Sequence, residues 1–172
     1  MEPKKPISHF VAGLIIGAVL IIYSLALNFA GKGQDRTLGW LAYLLFVIGL
    51  IVFINLYGNA KNNEMTFGGL FSYGFKATAI ATLLIVICLV IVISIMPDFK
   101  QKILDAMRQG MEDQGKLDDD KIDQTVKMFS KNFILFVVGG ALFMYLLFGV
   151  IASLIGAAIT KKNPVSPFQQ NI

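Results

Sequence analysis

Few side chains in this sequence could carry out chemistry. His9 is the only histidine and Cys88 the only cysteine, so a histidine cluster and an internal disulfide are both excluded. Cys88 lies in the middle of a long apolar segment, where a thiol stays protonated and unreactive. We therefore interpret Cys88 as a small packing residue, and we expect neither a metal ion nor a cofactor.

The densest group of acids is the run Asp118–Asp120 followed by Asp123. Closely spaced carboxylates are typical of calcium loops, but an EF-hand also needs a central Gly and a final Glu, which this segment lacks. The pattern favours a solvated turn that caps a helix. The sequence also contains no phosphate-binding P-loop, nucleophile elbow or zinc-protease motif, so no motif indicates a reaction.

Four long apolar segments dominate the chain, and none of them contains Asp, Glu, Lys or Arg. A helix needs about 20 apolar residues to cross about 30 Å of hydrocarbon. The sequence therefore predicts an all-α integral membrane protein, a four-transmembrane-helix bundle that forms a single domain over residues 1–172. The predicted spans are residues 7–29, 38–57, 77–96 and 132–160.

The basic residues bear on partners and on sidedness. The net charge is +4 with a pI near 9.2. Because the lysines pair at span ends, as in Lys4/Lys5 and Lys161/Lys162, the anionic partner we expect is the lipid bilayer and not nucleic acid. The first apolar segment exceeds the usual h-region of about 7–15 residues, so we expect it to be retained as a span.

With four spans, both termini lie on one side of the membrane. The basic pairs at the two ends favour the cytoplasm for that side. Lys and Arg are more numerous on the opposite side, but there they lie mostly among acids. We expect cytoplasmic termini, and the simple count of basic residues favours the reverse orientation.

Residues 98–131 form the only sizeable extramembrane segment, which predicts an amphipathic helical pair between spans 3 and 4. Its second helix is expected to continue into span 4. Lipid, the other helix or a partner membrane protein must cover the apolar stripe. The stripe consists of Ile103, Leu104, Met107, Met111, Ile122, Val126 and Phe129. A short interfacial helix, Met65–Phe75, is predicted before span 3 with Thr66 as its N-cap, and Pro97 is predicted to end span 3 or kink its last turn. Residues 163–172 are predicted to be a flexible tail.

Small residues recur at four-residue spacing in the first and last spans. Such spacing lets helix backbones approach closely in lipid. It is compatible with packing inside one chain and with contact between subunits of a homo-oligomer. The candidate packing residues are Gly13, Gly17, Gly149, Ser153 and Ala157.

Two stretches resemble a known family. Thr66–Lys76 matches the pattern Ser/Thr-Phe-Gly-x-x-Phe-x-x-Gly, and Pro97-Asp98-Phe99 stands where span 3 ends. Both are similar to domain-of-unknown-function family 4199, small inner-membrane proteins of Bacteroidota. The resemblance implies a four-span fold and a bacterial inner-membrane location. Genes of this family often lie near those of family-2 glycosyltransferases, and the family supplies no catalytic residues.

The absence of ionisable residues inside the spans bears on the function class. Acid–base and nucleophilic chemistry need such groups, so we expect a protein that is not an enzyme. The favoured role is an accessory or scaffolding subunit of an inner-membrane complex, with a glycosyltransferase as one candidate partner. The alternative is a small transporter or channel for a neutral or lipidic substrate.

Overall fold

A computed structural model describes residues 6–163, which form six α-helices and no strand. Four of these helices, α1, α2, α3 and α6, are long and apolar enough to cross a bilayer. The prediction of an all-α, four-span membrane protein is confirmed. The six helices are α1 His9–Phe29, α2 Arg36–Ala60, α3 Phe67–Ile95, α4 Pro97–Glu112, α5 Asp119–Lys131 and α6 Phe133–Ile159.

The residues before 6 and after 163 lie outside the part of the chain that the structure describes. Lys4 and Lys5 lie outside it, as does the predicted flexible tail beyond Asn163. The helices α4 and α5 occupy the predicted extramembrane segment, and the turn between them contains Gly115 in a left-handed conformation with φ 59°.

Side-chain caps start the first three helices. The hydroxyl of Ser8 accepts a hydrogen bond from the Val11 amide at 3.2 Å, and Asp35 accepts from two amides in the first turn of α2. The hydroxyl of Thr66 accepts from the Gly69 amide at 3.2 Å, so the predicted cap at Thr66 is confirmed. Such caps satisfy amides that the helix itself leaves free.

The structure differs from the prediction of a separate interfacial helix at Met65–Phe75. The helix α3 runs without interruption from Phe67 to Ile95. Its first turns bury Leu70, Tyr73 and Gly74 inside the bundle. Because this buried face continues directly into the span, the segment belongs to the packed helix and does not lie separately on the membrane surface.

A second difference concerns the entry to the last span. The prediction that α5 continues into span 4 is wrong, because Asn132 leaves the helical conformation at φ −116° and ψ 33°. Asn competes for backbone hydrogen bonds and is a poor helix former, which explains a break at this residue. At the other boundary, α3 ends at Ile95, so the prediction that Pro97 ends span 3 is confirmed, and Pro97 itself begins α4.

The four spans pack as a bundle in which α3 lies between α1 and α6, while α2 packs against α6, α3 and α1. Helices α1 and α3 run parallel to each other, and α2 and α6 run in the opposite direction. Phe46, Leu50 and Ile54 of α2 are fully buried at the centre. Large apolar side chains such as Leu135, 70% exposed, cover the outside of the bundle. This apolar exterior indicates a bilayer environment.

One end of the bundle, here called the terminal end, contains the first and last described residues and the α2–α3 turn. The Asn163 amide donates to the Asn63 carbonyl at 2.7 Å. The Tyr73 hydroxyl donates to the Ile7 carbonyl at 3.1 Å, and its ring stacks on Tyr57 with centroids 4.1 Å apart. The opposite end, here called the loop end, carries residues 30–35 and the α4–α5 pair.

Candidate functional site

The predicted packing glycines of α1 lie against α3. Both Gly13 and Gly17 are buried. A Cβ atom at Gly13 would stand 2.7 Å from the Ala77 carbonyl oxygen, and one at Gly17 would stand 2.9 Å from a methyl of Leu84. At Gly13 only a residue without a side chain fits against the α3 backbone, whereas a side chain at Gly17 would have to displace the end of Leu84, so Gly13 limits most strictly how closely α1 approaches α3.

The predicted packing residues of α6 lie against α3 and α2. Gly149 faces Thr78, where any Cβ would collide with the threonine side chain. Ser153 lies beside Gly74, and Ala157 is fully buried in the core. All five predicted packing residues are therefore buried within the single chain.

Three buried hydroxyls line the contact between α3 and α6. Within residues 6–163, the side-chain oxygens of Thr78, Thr82 and Ser153 have no hydrogen-bond partner. A helical Thr or Ser reaches the carbonyl four residues earlier by rotation about χ1, so each hydroxyl has a local acceptor available. The arrangement supports helix packing, and these hydroxyls face small residues such as Gly74 and Gly149.

A partly open cleft of ≈ 190 Å³ lies between α1, α3 and α6, towards the loop end. Its wall is mostly apolar, with a few polar or polarizable atoms. Each of the three helices contributes to the lining, which includes Leu20, Ser24, Cys88, Val92, Ala141 and Tyr145. Sequence reasoning did not predict this cleft, because the lining positions lie on three helices distant in sequence, and the four-residue spacing within each helix does not show which helices face one another.

The seven residues of the predicted apolar stripe are distributed over several contacts. Leu104 of α4 and Ile122 of α5 are buried where the two helices meet. Phe129 stacks on Phe136 of α6, with centroids 5.1 Å apart. The remaining residues are half-buried: Ile103, Met107, Met111 and Val126.

The polar side of the α4–α5 pair is held by ion pairs. Arg108 bonds Asp123 across the two helices and also lies 3.8 Å from Glu112. The hydrogen bond with Asp123, followed by the charge of that carboxylate, raises the pKa of the Arg108 guanidinium. On α5, Lys121 pairs with Asp118 at 3.1 Å. The acids Asp118 and Asp123 are thus solvated and take part in separate ion pairs. The predicted side-chain cap is not formed, because Asp118 stands at the N-cap position of α5 without a capping hydrogen bond.

The single histidine, His9, and the single cysteine, Cys88, lie far apart in the structure. The ring of His9 meets Tyr73 edge-on at the terminal end, with centroids 6.4 Å apart. Cys88 lines the cleft at the other end. In the part of the chain that the structure describes, no three His, Cys, Asp or Glu side chains come together as a metal site would require.

Comparison with known proteins gives one match. The family described as "Protein of unknown function (DUF4199)" matches residues 12–162. The match includes α2 to α6 and nearly all of α1, and it confirms the resemblance seen at Thr66–Lys76 and Pro97–Phe99. No curated protein and no solved structure matches the chain.

Proposed function

Because the chain belongs to the DUF4199 family, whose function is unknown, we propose from its own geometry that it is a non-enzymatic accessory or scaffolding subunit of an inner-membrane complex. The proposed contact surface is the amphipathic α4–α5 pair. It is the largest extramembrane element in the described residues, and it projects from a bundle whose other faces are suited to lipid.

The observation that carries the proposal is the incomplete closure of α4 on α5. Leu104 and Ile122 are buried, whereas Met107 and Val126 keep part of their apolar surface exposed. An open groove of ≈ 660 Å³ runs between the helices beside Val126. Full burial of a side chain of this size contributes about 1.5–3 kcal/mol, and because these two are already half-buried, a partner protein gains the remaining part by covering them.

The distribution of ionisable groups supports a role without catalysis. Among the four spanning helices of the described residues, Arg36 at the start of α2 and Lys76 of α3 are the only Asp, Glu, Lys or Arg, and both are exposed. Around the α4–α5 groove, the charged side chains are exposed, and Arg108 is already bonded to Asp123. General acid–base catalysis favours positioned groups with pKa values tuned by their surroundings, and this arrangement is better suited to recognition.

The test is affinity purification in mild detergent with a double variant, Met107→Asp/Val126→Asp. The expected result is a stoichiometric partner that copurifies with the parent protein and is lost from the variant, while membrane insertion stays normal. The matched control is Gln109→Asp/Gln124→Asp, which adds the same charge to exposed positions of the same helices. A glycosyltransferase is the first partner class to probe. Unchanged association in the Met107/Val126 variant would exclude this surface.

The cleft between α1, α3 and α6 favours the second candidate, a transporter of a neutral or lipidic substrate. Its volume of ≈ 190 Å³ and apolar lining are compatible with a small apolar group. The terminal half of the bundle is closed by the contacts of Gly13 and Gly149, so transport would require these contacts to open. Flux into liposomes that contain only this protein would overturn the subunit proposal.

The proposed orientation places both termini in the cytoplasm. Lys61 belongs to the terminal end and Gln114 to the loop end, and both are exposed. In a Cys88→Ser background, Lys61→Cys should be protected from an impermeant thiol reagent added outside intact cells, whereas Gln114→Cys should react. The opposite pattern would reverse the orientation, and equal labelling of both would contradict the four-span topology.

A further inference from the structure

A hollow of ≈ 380 Å³ lies at the loop end, where α3, α4 and the α5–α6 junction meet. One wall is polar and carries two ammonium groups, and the other wall is apolar. We call it the lysine hollow. The polar wall includes Lys100, Ser130, Lys131 and Asn132, and the apolar wall includes Ile134 and Leu135.

The two lysines give the hollow a positive charge. Lys100 is half-buried, and its Nζ lies 5.7 Å from the ring centroid of Phe133. Lys131 is exposed in the last turn of α5. The ion pairs of residues 6–163 involve other side chains, so in that part of the chain neither lysine forms a direct ion pair with a carboxylate.

The apolar wall places the hollow at the membrane boundary. Ile134 and Leu135 belong to the first turn of α6, a membrane span, and they are 59% and 70% exposed. Side chains this apolar at the start of a span lie in the hydrocarbon. Lys131, two residues before the span, and Lys100, in the first turn of α4, therefore lie at the level of the lipid headgroups.

We propose that the lysine hollow binds the phosphate headgroup of an anionic membrane phospholipid. The ammonium groups of Lys100 and Lys131 attract the phosphate, and the Ser130 hydroxyl and Asn132 amide can donate hydrogen bonds to its oxygens. An acyl chain continues along Ile134 and Leu135. A soluble anion would satisfy only the polar wall and a neutral lipid only the apolar wall, whereas an anionic phospholipid satisfies both.

The proposal is tested with purified, delipidated protein and phosphatidylglycerol, counting bound lipid by native mass spectrometry. We expect the parent protein to retain one tightly bound phosphatidylglycerol. Each lysine near a membrane surface raises the affinity for an anionic lipid on the order of fivefold. The double variant Lys100→Ala/Lys131→Ala should therefore bind phosphatidylglycerol about 25-fold more weakly. Lys100→Arg/Lys131→Arg, which keeps both charges, should retain most of the binding.

The matched control is Lys102→Ala/Lys116→Ala, which removes two exposed lysines from the same extramembrane segment. An equal loss in the control would show attraction by net charge alone and overturn the assigned site. The single change Lys131→Ala, at an exposed position, provides a folded variant if loss of Lys100 disturbs packing on Phe133. Unchanged binding in Lys131→Ala would also overturn it.

Two competition experiments distinguish an anionic phospholipid from a free anion and from a neutral lipid. Displacement of phosphatidylglycerol by inorganic phosphate would show a site for free anions and contradict the assignment to a lipid. Phosphatidylcholine bound as tightly as phosphatidylglycerol would show that the apolar wall alone decides binding. Because these measurements involve no partner protein, their outcome is independent of the proposed subunit role.

Discussion

The two ends of the bundle are built from different kinds of side chain. At the terminal end, glycine and alanine let the helices touch through their backbones, and Tyr73 and Asn163 join segments distant in sequence. At the loop end, a cleft lies between α1, α3 and α6, lined mostly by apolar side chains and by Tyr145. The same four helices thus form a closed half and an open half.

This difference shows how residue size sets helix spacing in a membrane. Because lipid tails are as apolar as the side chains, helices associate there through close van der Waals contact. Gly13 and Gly17 bring α1 onto α3, and the two helices separate where Ser24 and Cys88 face the cleft. Stability is therefore expected to depend mainly on the terminal end, and ligand or lipid contact on the loop end.

The largest expected effect comes from filling a close contact on α6. Gly149→Leu would drive a side chain into Thr78 and should lower the free energy of unfolding by about 3 kcal/mol or more. Gly140→Leu, on the same helix where a Cβ meets nothing within 4 Å, should change it by less than about 1 kcal/mol. Unfolding in mixed micelles by SDS titration measures both. Equal losses would contradict the assignment of Gly149 to a packing contact.

A smaller difference in stability is expected when the same substitution, alanine to leucine, is made at each end of the bundle. Ala157→Leu adds volume at a fully buried position and should destabilise by about 1–3 kcal/mol. Ala141→Leu adds the same volume beside the cleft, where the extra methyl groups have space, and should change stability by less than about 1 kcal/mol. Thermal melting in detergent compares the two variants. A greater loss in Ala141→Leu would mean that the cleft is not open space.

The smallest effect is expected in the α4–α5 pair. Arg108 and Asp123 pair across the helices but remain 43% and 61% exposed, so solvent and salt weaken their attraction. Arg108→Ala should leave the melting temperature of the bundle unchanged. The charge-swapped variant Arg108→Asp/Asp123→Arg is the control and should behave like the parent protein. A marked loss in Arg108→Ala, rescued by the swap, would assign the pair a structural role.

Several local features could be predicted because they depend on neighbouring residues. The cap at Thr66 and the helix boundary at Pro97 follow from side-chain chemistry within a few positions. The break at Asn132 was missed, because the apolar spacing on its two sides is compatible with one continuous helix. The uninterrupted start of α3 was missed for another reason, since the burial of Leu70 and Tyr73 depends on helices distant in sequence.

The sequence by itself determined the membrane class and the number of spans. Long segments without charge are unfavourable in water, and a helix of that length satisfies its own backbone groups in lipid. The tertiary structure decided what the sequence could not. It joined Lys100 to Lys131 in one hollow and placed Ser24 beside Cys88 in one cleft. Such neighbours depend on which helices pack together, and helix pairing is set by close contacts between segments distant in sequence, which no local spacing reveals.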